Sequence, residues 1–150
     1  MKFKFKLETV KKHRKILKDL AQKEFEIARI AVDQKLAQIN MMYEAIDNAR
    51  VMADEMHGEE NVKSAPFLQI EDFILGQNVR IQVARLEVRE LMAVLEEKQE
   101  ILLEKVKDHK VLEKLEEKKF GEFKKELNRK QQVQADDMSI MRFRRNKENV

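Results

Sequence analysis

The chain has 150 residues with 3 Gly, 1 Pro and no Cys, and 39% of it is charged. That composition lacks the turn residues and wide apolar faces of an ordinary globular domain, and it excludes a disulfide framework, Cys-ligated zinc and a thiol nucleophile. The formal net charge of +3 conceals two basic ends, rich in Lys and Arg over 1–18 and 118–150, and an acidic middle over 44–72.

Met1–Leu7 alternates Lys and Phe and has no continuous apolar run, so it does not read as a secretory signal. No window approaches the ~20 apolar residues of a membrane span, and the expected location is cytoplasmic. A first helix is expected over about 8–56, with Thr9 a candidate N-cap. Its apolar stripe reads Val10, Leu17, Leu20 and Ile27, then moves one position on to Ala28, Val32, Ile39, Met42, Ile46 and Ala53. A stripe that advances in this way predicts a straighter, less supercoiled segment.

A turn is expected over about 57–66, where Gly58 suits a helix C-terminus and Pro66 fits only the first turn of a new helix. The second helix is expected over about 67–135. Within it Ile74, Ile81, Val88, Leu95, Leu102 and His109 step by sevens. Ile70, Gln77, Ala84, Leu91, Lys98, Lys105 and Leu112 interleave at the same step. Together they form the seam of a coiled coil, with Lys98 and Lys105 expected to snorkel out of it. Gly76 reads as a tolerated defect or a kink, and Gly121 as a hinge.

A short connection between long helices favours an antiparallel pair. The fold class is therefore all-α: an elongated antiparallel two-helix coiled-coil hairpin, one domain over 1–150. The second helix is longer and overhangs, ending in a frayed basic tail over about 136–150.

No phosphate loop, HExxH, CxxC or EF-hand pattern is present. The carboxylates alternate with lysines as a solvated helix face does, so an enzyme is not expected, nor a cofactor or a metal. Fold-back brings His13 and His109 within about a turn of each other; they are either imidazoles tolerated by the seam or a pH-sensitive or metal-holding pair.

Two surfaces remain as candidates. Near the turn, Met41, Met42, Tyr43, Ile46, Met52 and Met56 lie on the first helix and Phe67, Leu68, Ile70, Phe73, Ile74 and Leu75 on the second. These cover more than one face of each helix, which suits either a protein-binding site or a locally wider core. At the basic end, Lys11, Lys12 and Lys15 join Lys118, Lys125 and Arg129. That patch suits nucleic acid phosphates, anionic lipid or an acidic protein surface. Phe120 and Phe123 are spaced as helix packing requires, and no nucleic-acid-binding module is recognised, so nucleic acid is not the expected partner.

The opening Phe3-Lys4-Phe5-Lys6-Leu7-Glu8-Thr9-Val10 with Arg14 resembles the start of the FliJ family of flagellar type III export proteins. Val111–Leu115, Lys118, Phe120, Glu122, Glu126, Arg129, Gln132 and Asp136-Asp137 resemble its charged C-terminal helix, and Tyr43 with Phe73-Ile74 resembles an aromatic pair near its hairpin tip. The resemblance implies a non-enzymatic component of the export apparatus, peripheral at the cytoplasmic side of the inner membrane and held there by its partners. It implies that the basic end (Lys11, Lys12, Lys15, Lys118, Lys125, Arg129) enters the export ATPase ring. The tip (Met42, Tyr43, Ile46, Phe73, Ile74, Gln77) would contact the cytoplasmic part of the export gate or export chaperones. Gly76 and Gln77 stand where the family often has apolar residues. The competing class is a general scaffold coiled coil that pairs between chains.

Overall fold

The computed structural model describes residues 1–57 and 65–149. Two helices make up the fold, α1 (Glu8–His57) and α2 (Ala65–Glu148), and they pack against each other as a two-helix hairpin with no strand among the described residues. Good helix formers run almost unbroken through both. Pro66 sits in the first turn of α2, where its missing N–H costs no hydrogen bond. Gly58 and the rest of the expected turn over 58–64 lie outside the described residues.

Helix α2 extends further than its sequence indicates, to Glu148 rather than about 135. The charged segment 136–148 contains no Gly or Pro to stop it. Neither Gly76 nor Gly121 interrupts the helix, and a Cβ added at either meets nothing within 4 Å.

Tertiary contacts divide the chain into two compact units: Met1–Lys18 with Glu104–Val150, and Asp19–Leu103. In the second of these, α2 presents Ile70, Ile74, Gln77, Ile81, Ala84, Val88, Leu91, Leu95, Lys98 and Leu102, every one buried or half-buried. The heptad seam thus stands as read. Its core is Ile39, Ile46, Ile81, Ala84 and Val88, with Met42 and Ile74 packed against it. Lys35 pairs with Glu87, and Lys98 Nζ reaches Glu24 Oε2 at 3.1 Å. Partners fall later on α2 as they fall earlier on α1, which is antiparallel packing. Lys98 snorkels from the seam to reach its carboxylate.

The face of α1 departs from the expected stripe only in its first part: Val10, Leu20 and Ile27 are exposed, whereas Leu17 is half-buried and Ala28, Val32, Ile39, Met42, Ile46 and Ala53 are covered as expected. Leu20 and Ile27 are more than half exposed, at 54% and 60%. The seam positions are Ala21, Phe25, Ala28, Val32, Lys35, Ile39, Met42, Ile46, Ala49, Ala53 and Met56, alternating steps of four and three, with Ala31 and Ala45 half-buried beside them. This is a strict heptad seam, so the expected shift of the stripe is corrected. Alanines and a lysine occupy seam positions there while isoleucines and a leucine face outward, which misleads any count of apolar residues.

In the other unit the same alternation takes in Lys11, Arg14 and Lys18, all half-buried, while Val10 is 42% exposed. Opposite them lie half-buried Lys105 and buried His109 and Leu112. Arg14 Nη1 donates to the Asp108 carbonyl at 2.9 Å, and Lys11 pairs with Glu116. Residues 1–7 precede α1 and pack on α2. Their period-two pattern turns Phe3 and Phe5 to one side and Lys2, Lys4 and Lys6 to solvent, as an extended segment does. Phe5 is buried at 7% exposure. The Phe3 ring meets Phe120 edge-on at 5.3 Å and Phe123 at 5.5 Å.

Candidate partner-binding surfaces

The turn-proximal surface belongs to the unit Asp19–Leu103. Of its expected residues, Ile46 is 2% exposed and sits in the core, with Met42 and Ile74 packed against the same cluster. Their place on the seam explains this, and Ile46 is unavailable to a partner. Gln77, also on the seam, is half-buried and lines a shallow cavity of about 320 Å³ with Gln38, Met41 and Met42.

Tyr43 and Phe73 do face solvent, at 38% and 42% exposure. No ring contact joins them among the described residues. Tyr43 accepts a hydrogen bond from Arg85 Nη2, and the guanidinium carbon lies 5.7 Å from the ring centroid, a cation–π contact. Phe73 instead lines a cavity of about 520 Å³ with Ala49, Met52, Met56, Pro66 and Ile70. Met41 and Met52 are exposed at 67% and 53%. Flexible thioethers beside an aromatic edge make an adaptable apolar surface, able to fit more than one contour.

Arg85 escaped sequence reading because it lies outside the seam and meets Tyr43 only across the two helices. The signal available was that both lie off the seam on neighbouring helices.

The basic surface belongs to the unit of residues 1–18 and 104–150. Lys12, Lys15, Lys118 and Lys125 are exposed, and none forms an ion pair among the described residues. Lys11 is engaged with Glu116; that hydrogen bond raises its pKa above the ordinary lysine value, and the nearby Glu8 and Glu113 add to the effect. Arg129 donates Nε and Nη2 to the two Glu126 oxygens at 3.1 and 2.9 Å. Its charge is thus partly answered within α2. Of the six expected cations, Lys12, Lys15, Lys118 and Lys125 are the ones without an ion pair among the described residues.

Two carboxylates on this stretch are held below the usual range. The Lys119 hydrogen bond lowers Glu122, and the Arg129 hydrogen bond lowers Glu126. A depressed folded-state pKa stabilises the helix above the unfolded value, and that support is lost as pH falls through the folded pKa. Acidification from neutral pH should therefore reduce helicity around 119–130. Circular dichroism should show a smaller acid loss in a Glu122→Gln, Glu126→Gln variant, whose helix has no such support to lose.

The N-terminal segment shapes a further feature of this unit. Phe3, Phe5, Leu7, Leu115 and Phe123 line a largely apolar cavity of about 590 Å³ edged by lysines. The Lys-Phe alternation was visible in the sequence, but its packing partner, more than a hundred residues away, was not.

His13 is exposed, because Arg14 takes the seam position beside it. His109 is 5% exposed with Nδ1 3.5 Å from Glu113 Oε1, and its Nε2 has no hydrogen-bond partner among the described residues. The structure does not pair the two histidines. No group of His, Cys, Asp and Glu suited to a metal ion occurs among the described residues, and no described helix is long and apolar enough to cross a membrane.

A search of curated proteins and a search of solved structures each found no match to the chain. A scan against protein families matches the flagellar FliJ protein family over residues 3–148. The match takes in both helices, the N-terminal aromatic segment and the extended end of α2, and the chain belongs to the flagellar FliJ protein family.

Proposed function

We propose that this chain is an adaptor of the flagellar export apparatus, binding the export ATPase ring through its basic surface and the export gate or export chaperones through its turn-proximal surface. Family membership makes it a flagellar-export-associated protein, from a family of export components rather than enzymes. The finer reading assigns Lys12, Lys15, Lys118 and Lys125 to the ring, and Tyr43, Phe73, Met41 and Met52 to the other partner. It also puts the protein at the cytoplasmic side of the flagellar base, held at the membrane by its partners.

The observation that carries this reading is the separation of chemistry between the two surfaces. One offers unpaired lysines and the other an exposed aromatic and thioether patch. Exposed cations raise association rate and orient a partner of opposite charge, with a strong dependence on ionic strength. The apolar patch supplies contact area that salt does not weaken.

Lys12→Glu, Lys15→Glu, Lys118→Glu and Lys125→Glu combined should weaken binding to the purified export ATPase by about a hundredfold or more at low salt, since each charge reversal near an interface contributes on the order of 1 kcal/mol. Surface plasmon resonance across a salt series reads this directly. Undiminished affinity with an unchanged salt slope would remove the basic surface from the account. Helicity should stay at the unsubstituted level, because none of the four side chains holds the two helices together.

A further inference from the structure

Every described residue from Asn128 to Asn149 is exposed, yet α2 remains helical to Glu148. Most helical stability in proteins comes from packing an apolar face against a neighbour, and this stretch of α2 packs against none among the described residues. It also carries large apolar side chains with nothing over them: Val133 at 49% exposure, Met138 at 61%, Ile140 at 52%, Met141 at 65% and Phe143 at 71%. Val133 and Ile140 continue the seven-residue step that includes Leu112 and half-buried Glu126, and Phe143 lies one turn beyond Ile140 on the adjoining side.

Between Val133 and Lys147 the charges are sorted along the helix, with Arg129 and Lys130 before that stretch and Glu148 after it. Asp136 and Asp137 precede Ile140, whereas Arg142, Arg144, Arg145 and Lys147 follow it. A surface of one sign would suit a phosphate or lipid partner. A segment that is acidic in one half and basic in the other complements itself when reversed.

We propose that residues 133–148 of α2 pair with the same segment of a second copy of this chain, antiparallel about a two-fold axis near Ile140 and Met141. That arrangement sets Asp136 and Asp137 of each copy beside Arg144 and Arg145 of the other, and Met138 beside Phe143. It is isologous, so each favourable contact occurs twice. Parallel pairing in register would set Asp beside Asp and Arg beside Arg, which is repulsive. The overlap is short, about 24 Å of helix, so the dimer is weak and concentration-dependent rather than permanent. It leaves the seam of α1 and α2 intact, and so differs from a scaffold in which that seam pairs between chains.

The test uses two variants of the full chain: Asp136→Arg with Asp137→Arg, and Arg144→Asp with Arg145→Asp. None of these side chains has an intrachain ion pair or hydrogen bond among the described residues, so the fold survives the changes. Sedimentation equilibrium of the unsubstituted chain should show the mass rising from 17.9 kDa toward twice that value with concentration. Each variant alone should stay at the monomer mass over the same range, and an equimolar mixture should recover the rise. An unsubstituted chain that stays monomeric overturns the proposal and leaves this face to a different partner. Variants that self-associate as well as the unsubstituted chain, or a mixture that recovers nothing, overturn the antiparallel pairing.

Discussion

Replacing Ile81 by Ala should lower stability by about 2–5 kcal/mol, the range for truncating a fully buried aliphatic side chain. Ile81 is 2% exposed and lies in the cluster of Ile39, Ile46, Ala84 and Val88. A two-helix seam has no second layer to close over the gap, so the surroundings recover little of what the side chain contributed. For a chain of this size the melting temperature should fall by about 2–4 °C for each kcal/mol lost. Ile27→Ala is the informative control. Ile27 is as apolar as Ile81 but 60% exposed, and its truncation should change stability by no more than about 0.5 kcal/mol. Thermal unfolding followed by circular dichroism separates the two. Equal losses would mean that α1 presents the face its apolar residues suggest, and not the heptad face of the structure.

Phe5→Ala should give the second large loss, about 3 kcal/mol, toward the lower end for a buried aromatic because residues 1–7 can relax into the space. Phe5 is 7% exposed and anchors the segment whose Phe3 ring meets Phe120 and Phe123. Once it is removed, the aromatic edge contacts lose their support, and these are worth about 0.5–1.5 kcal/mol beyond buried area. Trypsin should then cut faster after Lys4 and Lys6. Leu7→Ala, at a residue 38% exposed, should leave both the unfolding and the cleavage nearly unchanged. A Phe5→Ala chain that unfolds and is cleaved like the unsubstituted one would mean that the segment is not held on α2.

The two helices differ in how plainly their sequences announce the seam. In α2 the seam is spelled by Ile, Val and Leu, and every position read from the heptads is buried or half-buried, including Lys98, Lys105 and His109. In α1 the seam holds Lys11, Arg14, Lys18, Ala21, Ala28 and Lys35, while Leu20, Ile27 and Ile30 point outward. Lysine and arginine stems cover apolar surface while their heads reach carboxylates or carbonyls. Periodicity in hydrophobicity cannot register them as interior, although the seven-residue step persists. The same step runs through Lys11 and Arg14 and leaves His13 exposed beside the seam, so His13 and His109 do not meet on it.

The candidate surfaces were legible in part. Exposed Tyr43, Phe73, Lys12, Lys15, Lys118 and Lys125 stand where a partner can reach them. Ile46, Met42 and Ile74 came from the same cluster of apolar residues, but the seam claims them. Lys11 and Arg129 are engaged with Glu116 and Glu126. Which cations remain unpaired depends on contacts across the helices and on side-chain geometry, neither of which a charge count contains. The end of α2 lies beyond the expected boundary: a run of charges reads as a frayed tail, yet the segment holds no Gly or Pro to stop the helix.

The adaptor reading rests on two surfaces that can be lost independently. The most direct measurement takes the unsubstituted chain, the four-lysine reversal, and Tyr43→Ala with Phe73→Ala, and titrates each against the purified export ATPase and against the cytoplasmic part of the export gate. The lysine variant should lose the ATPase and keep the gate; the aromatic variant should do the opposite, with its melting temperature nearly unchanged. Loss of both partners by either variant, or of neither by both, would contradict an adaptor with separate surfaces for its two partners.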